Sequence, residues 1–137
     1  MALDKKHVFT STQINPSPTI TGEAGAAIDD VRCKGVKYDD NGKIVLASTA
    51  GEAIIGVGII TNNAATAVGE DVDIQVKDIG AVLIGADVKA GAELAVDANG
   101  TFHTATASQF VAAISIETGK AGQVVRAQMV KYFKASA

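Results

Sequence analysis

The sequence predicts an all-β protein built from two similar β-modules that close on each other as a sandwich or small barrel. Three observations carry this. From about residue 28, short runs rich in Val, Ile, Thr, Tyr and Phe alternate with Gly, Asn and Asp, and no longer stretch has helical periodicity. The apolar fraction of 47% includes only four Phe, two Tyr and no Trp, so Val, Ile, Leu and Ala must fill the core, and small branched side chains suit packed strands. Finally, three segments of the first half recur in the same order in the second.

Residues 1–22 are polar and rich in Ser and Thr, and Pro16-Ser17-Pro18 holds the backbone extended, so they are expected to form an arm ahead of one domain spanning 23–137. Strands are expected at Val31–Tyr38, Lys43–Leu46, Ile54–Ile60, Val72–Val76 and Ala81–Ile84, then at Leu94–Val96, Phe102–Thr104, Ala112–Ile116 and Gln123–Phe133. The run Gly35-Val36-Lys37-Tyr38-Asp39-Asp40-Asn41-Gly42 lines up with Glu93-Leu94-Ala95-Val96-Asp97-Ala98-Asn99-Gly100. Each Asn-Gly pair sits between β-prone runs and predicts a hairpin with a type I′ turn, which needs the positive φ angles these residues tolerate. Residues 53–61 match 110–118, and Gly69–Val76 match Gly122–Met129. In the last pair, Val72, Ile74 and Val76 alternate with Asp71, Asp73 and Gln75, while Val125, Ala127 and Met129 alternate with Val124, Arg126 and Gln128. Such alternation puts one face on a core and the other towards water or a partner. Ile54–Ile60 is apolar apart from its glycines, which predicts a strand buried on both sides or in a subunit interface.

The chain is poor in groups that do chemistry. It has two His and one Cys, with no nucleophile elbow, phosphate-binding loop or dinucleotide fingerprint, so it is expected not to be an enzyme and to need no cofactor or metal. The lone Cys33 excludes an internal disulfide. His103 is expected in a structural role on a strand. Asp39-Asp40-Asn41-Gly42 places its glycine wrongly for an EF-hand and lacks the closing Glu. Asp71 and Asp73 share one strand face and are expected to be solvated rather than paired for catalysis. A carrier-domain lysine at Lys131, after Met129-Val130, would need a tight hairpin tip, whereas Lys131 ends a long predicted strand. No apolar run approaches the ~20 residues of a membrane helix. The N-terminus has no apolar run of the kind a secretory signal needs.

The net charge of -3 is uneven. Residues 1–50 balance, 51–100 carry two bases against eight acids, and 101–137 carry four bases against one acid. That distribution argues against a uniform nucleic-acid-binding face and allows head-to-tail complementarity between copies.

The strings Ile55-Gly56-Val57-Gly58, Ala67–Ile74, Ala86–Asp97, and Ala113-Ile114 through Gly122-Gln123-Val124-Val125-Arg126-Ala127 give the chain a family likeness. It resembles the tailed-bacteriophage capsid decoration, or cement, proteins over roughly residues 20–130. The resemblance implies a β-barrel or β-tulip-like domain, commonly a homotrimer, made in the host cytoplasm. It would sit on the outer surface of the virion capsid and bridge capsomers, with the major capsid protein as partner and no membrane or nucleic acid bound. Within that expectation the arm supplies the capsid-binding residues Lys5, Lys6, Val8, Phe9, Thr10, Thr12 and Ile14: Val8 and Phe9 anchor, and the Thr and Ser residues pair as an added strand. The alternative from another class is a carbohydrate- or host-surface-binding β-module, although the Trp platforms usual there are missing.

Overall fold

The computed structural model describes residues 17–136, and every regular element among them is a strand. In chain order these are β1 (Thr19–Glu23), β2 (Gly35–Tyr38), β3 (Ile44–Leu46), β4 (Gly56–Gly58) and β5 (Asp71–Gln75). They are followed by β6 (Ile79–Leu83), β7 (Glu93–Val96), β8 (Phe102–Thr104), β9 (Gln109–Ser115) and β10 (Val124–Lys134). All but β1 fall on segments expected from the sequence. β1 crosses the boundary drawn at residue 22, because Thr19–Glu23 pairs antiparallel with Asp71–Gln75.

The internal repeat is the plan of the fold. The first five strands form a sheet in the order β1-β5-β4-β2-β3, and the last five form a second in the order β6-β10-β9-β7-β8. Position for position the two orders are the same. Even the isolated parallel bridges recur, Ala24 with Ile44 and Ile84 with Phe102. Those single bridges bring the two ends of each sheet together at one corner, but no ladder joins them. The fold is therefore all-β as expected, yet neither sheet closes into a barrel: β1 and β3, and β6 and β8, remain the edges.

Both hairpins stand where Asn-Gly predicted them, with a different turn. Only Gly42 and Gly100 have positive φ, at 74° and 85°. Gly42 N–H donates to Asp39 C=O (3.0 Å) and Asp39 N–H to Lys43 C=O (2.8 Å), the pattern of a three-residue loop with a bulged glycine. The aspartates decide this outcome. Asp39 Oδ1 accepts from the N–H of Asn41 (2.8 Å) and Lys43 (2.9 Å), and Asp97 Oδ1 from the N–H of Asn99 (3.1 Å), which holds the Asn outside the left-handed region.

Each sheet curls around its own core. The N-terminal cluster contains Ala24, Ile28, Val31, Val36, Ile44, Val72 and Ile74. The C-terminal cluster centres on Val82, Ile84, Leu94, Val96 and Phe102, and it also takes in Ala47, Ile54 and Val57 from the other module. Burying each such Val, Ile, Leu or Phe contributes about 1.5–3 kcal/mol. This shared cluster joins the two modules through one core. The expected strand Ile54–Ile60 shrinks to β4, whose glycines admit other backbone: a Cβ on Gly56 would lie 2.1 Å from the Gln75 carbonyl oxygen, and one on Gly58 2.2 Å from that of Val31. Ile54 and Val57 are buried at the joint, whereas Ile60 is 63% exposed.

Candidate functional site

The residues expected to bind a capsid, Lys5, Lys6, Val8, Phe9, Thr10, Thr12 and Ile14, lie outside the described residues. The groups weighed for chemistry are dispersed. His103 Nε2 meets Gln109 Oε1 at 3.1 Å. Cys33 is buried, and burial pushes its thiol pKa up. Asp73 Oδ1 accepts from Thr21 Oγ1 at 2.6 Å on the outer face of the first sheet. Among the described residues, no three His, Cys, Asp or Glu side chains group as a metal site would need. No helix among them is long and apolar enough to cross a membrane.

What distinguishes the molecule is a contrast between two equivalent surfaces. Cross-strand partners share a face, so the registers define each outer surface. On the first sheet the outward pairs are Thr19 with Gln75, Thr21 with Asp73, and Glu23 with Asp71. On the second they are Ile79 with Gln128, Ala81 with Arg126, and Leu83 with Val124. A polar, acidic face in one module is an apolar face with one base in the other. Ile79 and Val124 are 57% and 50% exposed. Leu83 and Val124 continue into a cleft of about 260 Å³ at the joint, lined also by Asp30, Arg32, Cys33 and Ile60. Asp30 and Arg32 pair at 2.8 Å, and the guanidinium hydrogen bond lowers the Asp30 pKa to about 2. Exposed apolar side chains grouped in this way make this face the candidate interaction surface among the described residues. A second, larger depression of about 460 Å³ lies among the turns at one end, lined by Asp87, Val88, Lys89, Thr118, Gly119, Lys120 and Gln123.

The end of β10 forms the other distinctive surface. Its register on β9 shifts between Met129 and Tyr132, a bulge that re-aims the following side chains. Lys134 Nζ reaches Glu93 Oε1 at 2.6 Å, and the Tyr132 hydroxyl donates to Glu93 Oε2. The Lys134 ammonium first, and the phenol second, hold the Glu93 carboxyl below its ordinary pKa. In return the carboxylate pushes the Tyr132 phenol up to about 12. Lys131 donates to the Ile55 carbonyl across the joint, and desolvation lowers its pKa. This lysine lies on the bulge and is held down, not presented at a hairpin tip as a carrier domain requires. Phe133 is 62% exposed beside it.

No protein-family model and no curated protein sequence matches the chain. Among solved structures, the fold is similar to the head fiber gp8.5 N base of bacteriophage phi29, with a TM-score of 0.60 and 18% identity. That likeness covers 87% of this chain and 96% of the phage protein's. The class defined by these observations is a duplicated, curled five-stranded β-module, and its fold is similar to that of a protein of a phage head.

Proposed function

We propose that this chain is a structural protein of a phage head, attached to the outer surface of the assembled capsid as a decoration or cement protein. The observation that carries the reading is the fold shared with the phi29 head fiber base across nearly the whole of both chains. The sequence resemblance to cement proteins points the same way. The chain acts by binding, without catalysis. Its partner is the major capsid protein, and its working form is a homotrimer.

The mechanism follows from mass action. A protein that binds the assembled lattice but not the free subunits stabilises the lattice in proportion to its occupancy. A trimer touching several capsomers at once gains avidity from contacts that are individually modest, each near the ~1,200 Å² lower end of stable interfaces. Two surfaces supply those contacts. The segment Lys5–Ile14 adds to the shell as an extended strand, and the apolar outer face around Ile79, Leu83 and Val124 packs within the assembly. Deleting residues 2–14 is expected to abolish co-sedimentation with bare capsids while the far-ultraviolet circular dichroism stays that of the intact β-protein. Undiminished co-sedimentation of the folded, shortened chain would overturn the role given to this segment.

A further inference from the structure

Within the chain, one β-module is seated on the other, and the seat has defined parts. Ala47, Ile54 and Val57 of the first module enter the apolar cluster of the second. The N–H of Gly51 donates to the carbonyl of Val96 (2.8 Å), and the carbonyl of Cys33 accepts from the N–H of Leu83 (2.8 Å). Gln75 Nε2 reaches the carbonyl of Ile79 (2.8 Å).

The repeat builds the same seat a second time, on the second module. Its counterparts are Ala105, Val111 and Ile114, with Ser108 for Gly51, Gly91 for Cys33 and Gln128 for Gln75. The turns that hold it share a hydrogen bond, although the first is one residue longer, with Ser48 N–H also reaching Glu52 Oε2 (2.6 Å). In Thr49–Glu52 the Glu52 carboxylate accepts from the Thr49 N–H (2.7 Å), and in Thr106–Gln109 the Gln109 amide oxygen accepts from the Thr106 N–H (2.9 Å). Gly51 and Ser108 both have positive φ, at 75° and 65°. Cys33 likewise stands at φ 63° where Gly91 stands at 87°.

No third module follows among the described residues; β10 runs on instead. It has eleven residues where β5 has five. Its last carbonyl, that of Lys134, accepts from the Ser108 N–H (2.7 Å), in the place that Val96 takes on the first seat. Its Val130 packs on the buried cluster of Ala95, Ala105 and Val111, where the first seat receives the neighbouring module.

We propose that Val130–Lys134 is a built-in cap on a vacant module seat, and that the occupant it excludes is the N-terminal module of a second copy of this chain. The occupant follows from the joint already inside the molecule. The first module carries the counterpart of each docking group: Glu23 for Leu83, Thr19 for Ile79, and the half-exposed Tyr38 for Val96. Among the described residues β1 is an edge strand, with β5 as its one neighbour in the sheet. A head-to-tail contact of this kind repeats from copy to copy, as rings or filaments, unless a terminal element blocks it. The cap supplies that block, and the inference holds whatever surface the chain attaches to.

The test is to end the chain after Met129 and follow sedimentation velocity across a range of concentrations. The shortened chain is expected to form a concentration-dependent series of species larger than the intact protein. With Thr19→Cys and Gln128→Cys, the counterparts of the Ile79 and Gln75 contact, it should also form cross-links between chains on oxidation, which the full-length double variant should not. A folded, shortened chain that sediments like the intact one would overturn the proposal, and so would larger species that never form this cross-link. If shortening unfolds the protein, Val130→Asp in the full-length chain keeps the strand backbone but lifts the cap's apolar contact. Absence of the cross-link in that folded variant would equally overturn the proposal.

Discussion

The two modules share strand order, register and turns, yet their outer faces differ at almost every position. Thr19, Thr21, Glu23 and Asp71 in one become Ile79, Ala81, Leu83 and Val124 in the other. The inward partners do not change character: Ile20, Gly22, Val72 and Ile74 stand against Gly80, Val82, Val125 and Ala127. Packing restrains the inner positions, because a buried polar group without a partner is costly, whereas the outer ones answer only to water or to a partner. One scaffold thus carries a polar face and an apolar one, and the apolar face is the one that needs a functional explanation.

The largest expected effect tests whether the two halves are energetically one body. Ile44 and Phe102 are fully buried counterparts, but Phe102 belongs to the cluster shared by both modules. Phe102→Ala should cost about 4 kcal/mol and Ile44→Ala about 3 kcal/mol. Both should unfold in urea as single transitions. Two separate transitions in the Phe102 variant would break the shared core into two.

A smaller effect tests the shared turns. Asp39→Ala and Asp97→Ala each remove the carboxylate that organises a hairpin and should cost about 1.5 kcal/mol apiece, by chemical denaturation. Equal losses would sharpen the equivalence of the modules, and a loss confined to one would contradict it.

The smallest effect is a titration, and it probes a group found only in the second module. In a Tyr38→Phe background, Tyr132 is the single tyrosine and its phenolate absorbance should rise at about pH 12. In the further Glu93→Gln variant the rise should move back to about pH 10, the ordinary tyrosine value. Because the folded phenol pKa is raised, its contribution to stability is complete below about pH 10 and is lost as pH rises through about 12. Glu93 is the opposite case. Its folded pKa is depressed, so its contribution is present above about pH 4.3 and lost as pH falls through the lowered value.

Most of the fold was legible in the sequence because period-2 alternation and glycine turns are local signals. β1 was not, since Thr-Ile-Thr-Gly-Glu offers one large apolar side chain and follows a proline; it becomes a strand only when Asp71–Gln75 arrives beside it. The turn type is not legible from the pair alone, because Asn-Gly favours type I′ in isolation and the Asp ahead of it overrides that preference with its own hydrogen bonds. Half of the outer-face contrast was already visible in Asp71-Val72-Asp73 set against Val124-Val125-Arg126. Its meaning needed the registers of β1 and β6. The second seat was hidden because Cys33 and Gly91 correspond in backbone conformation and not in chemistry.

The proposal that this protein decorates a phage head is tested most directly by adding the purified chain to undecorated, expanded phage heads and imaging the particles by electron cryomicroscopy. New density is expected on the outer surface, bridging capsomers, with the β-modules resolved within it. Heads that remain bare at saturating protein would contradict it.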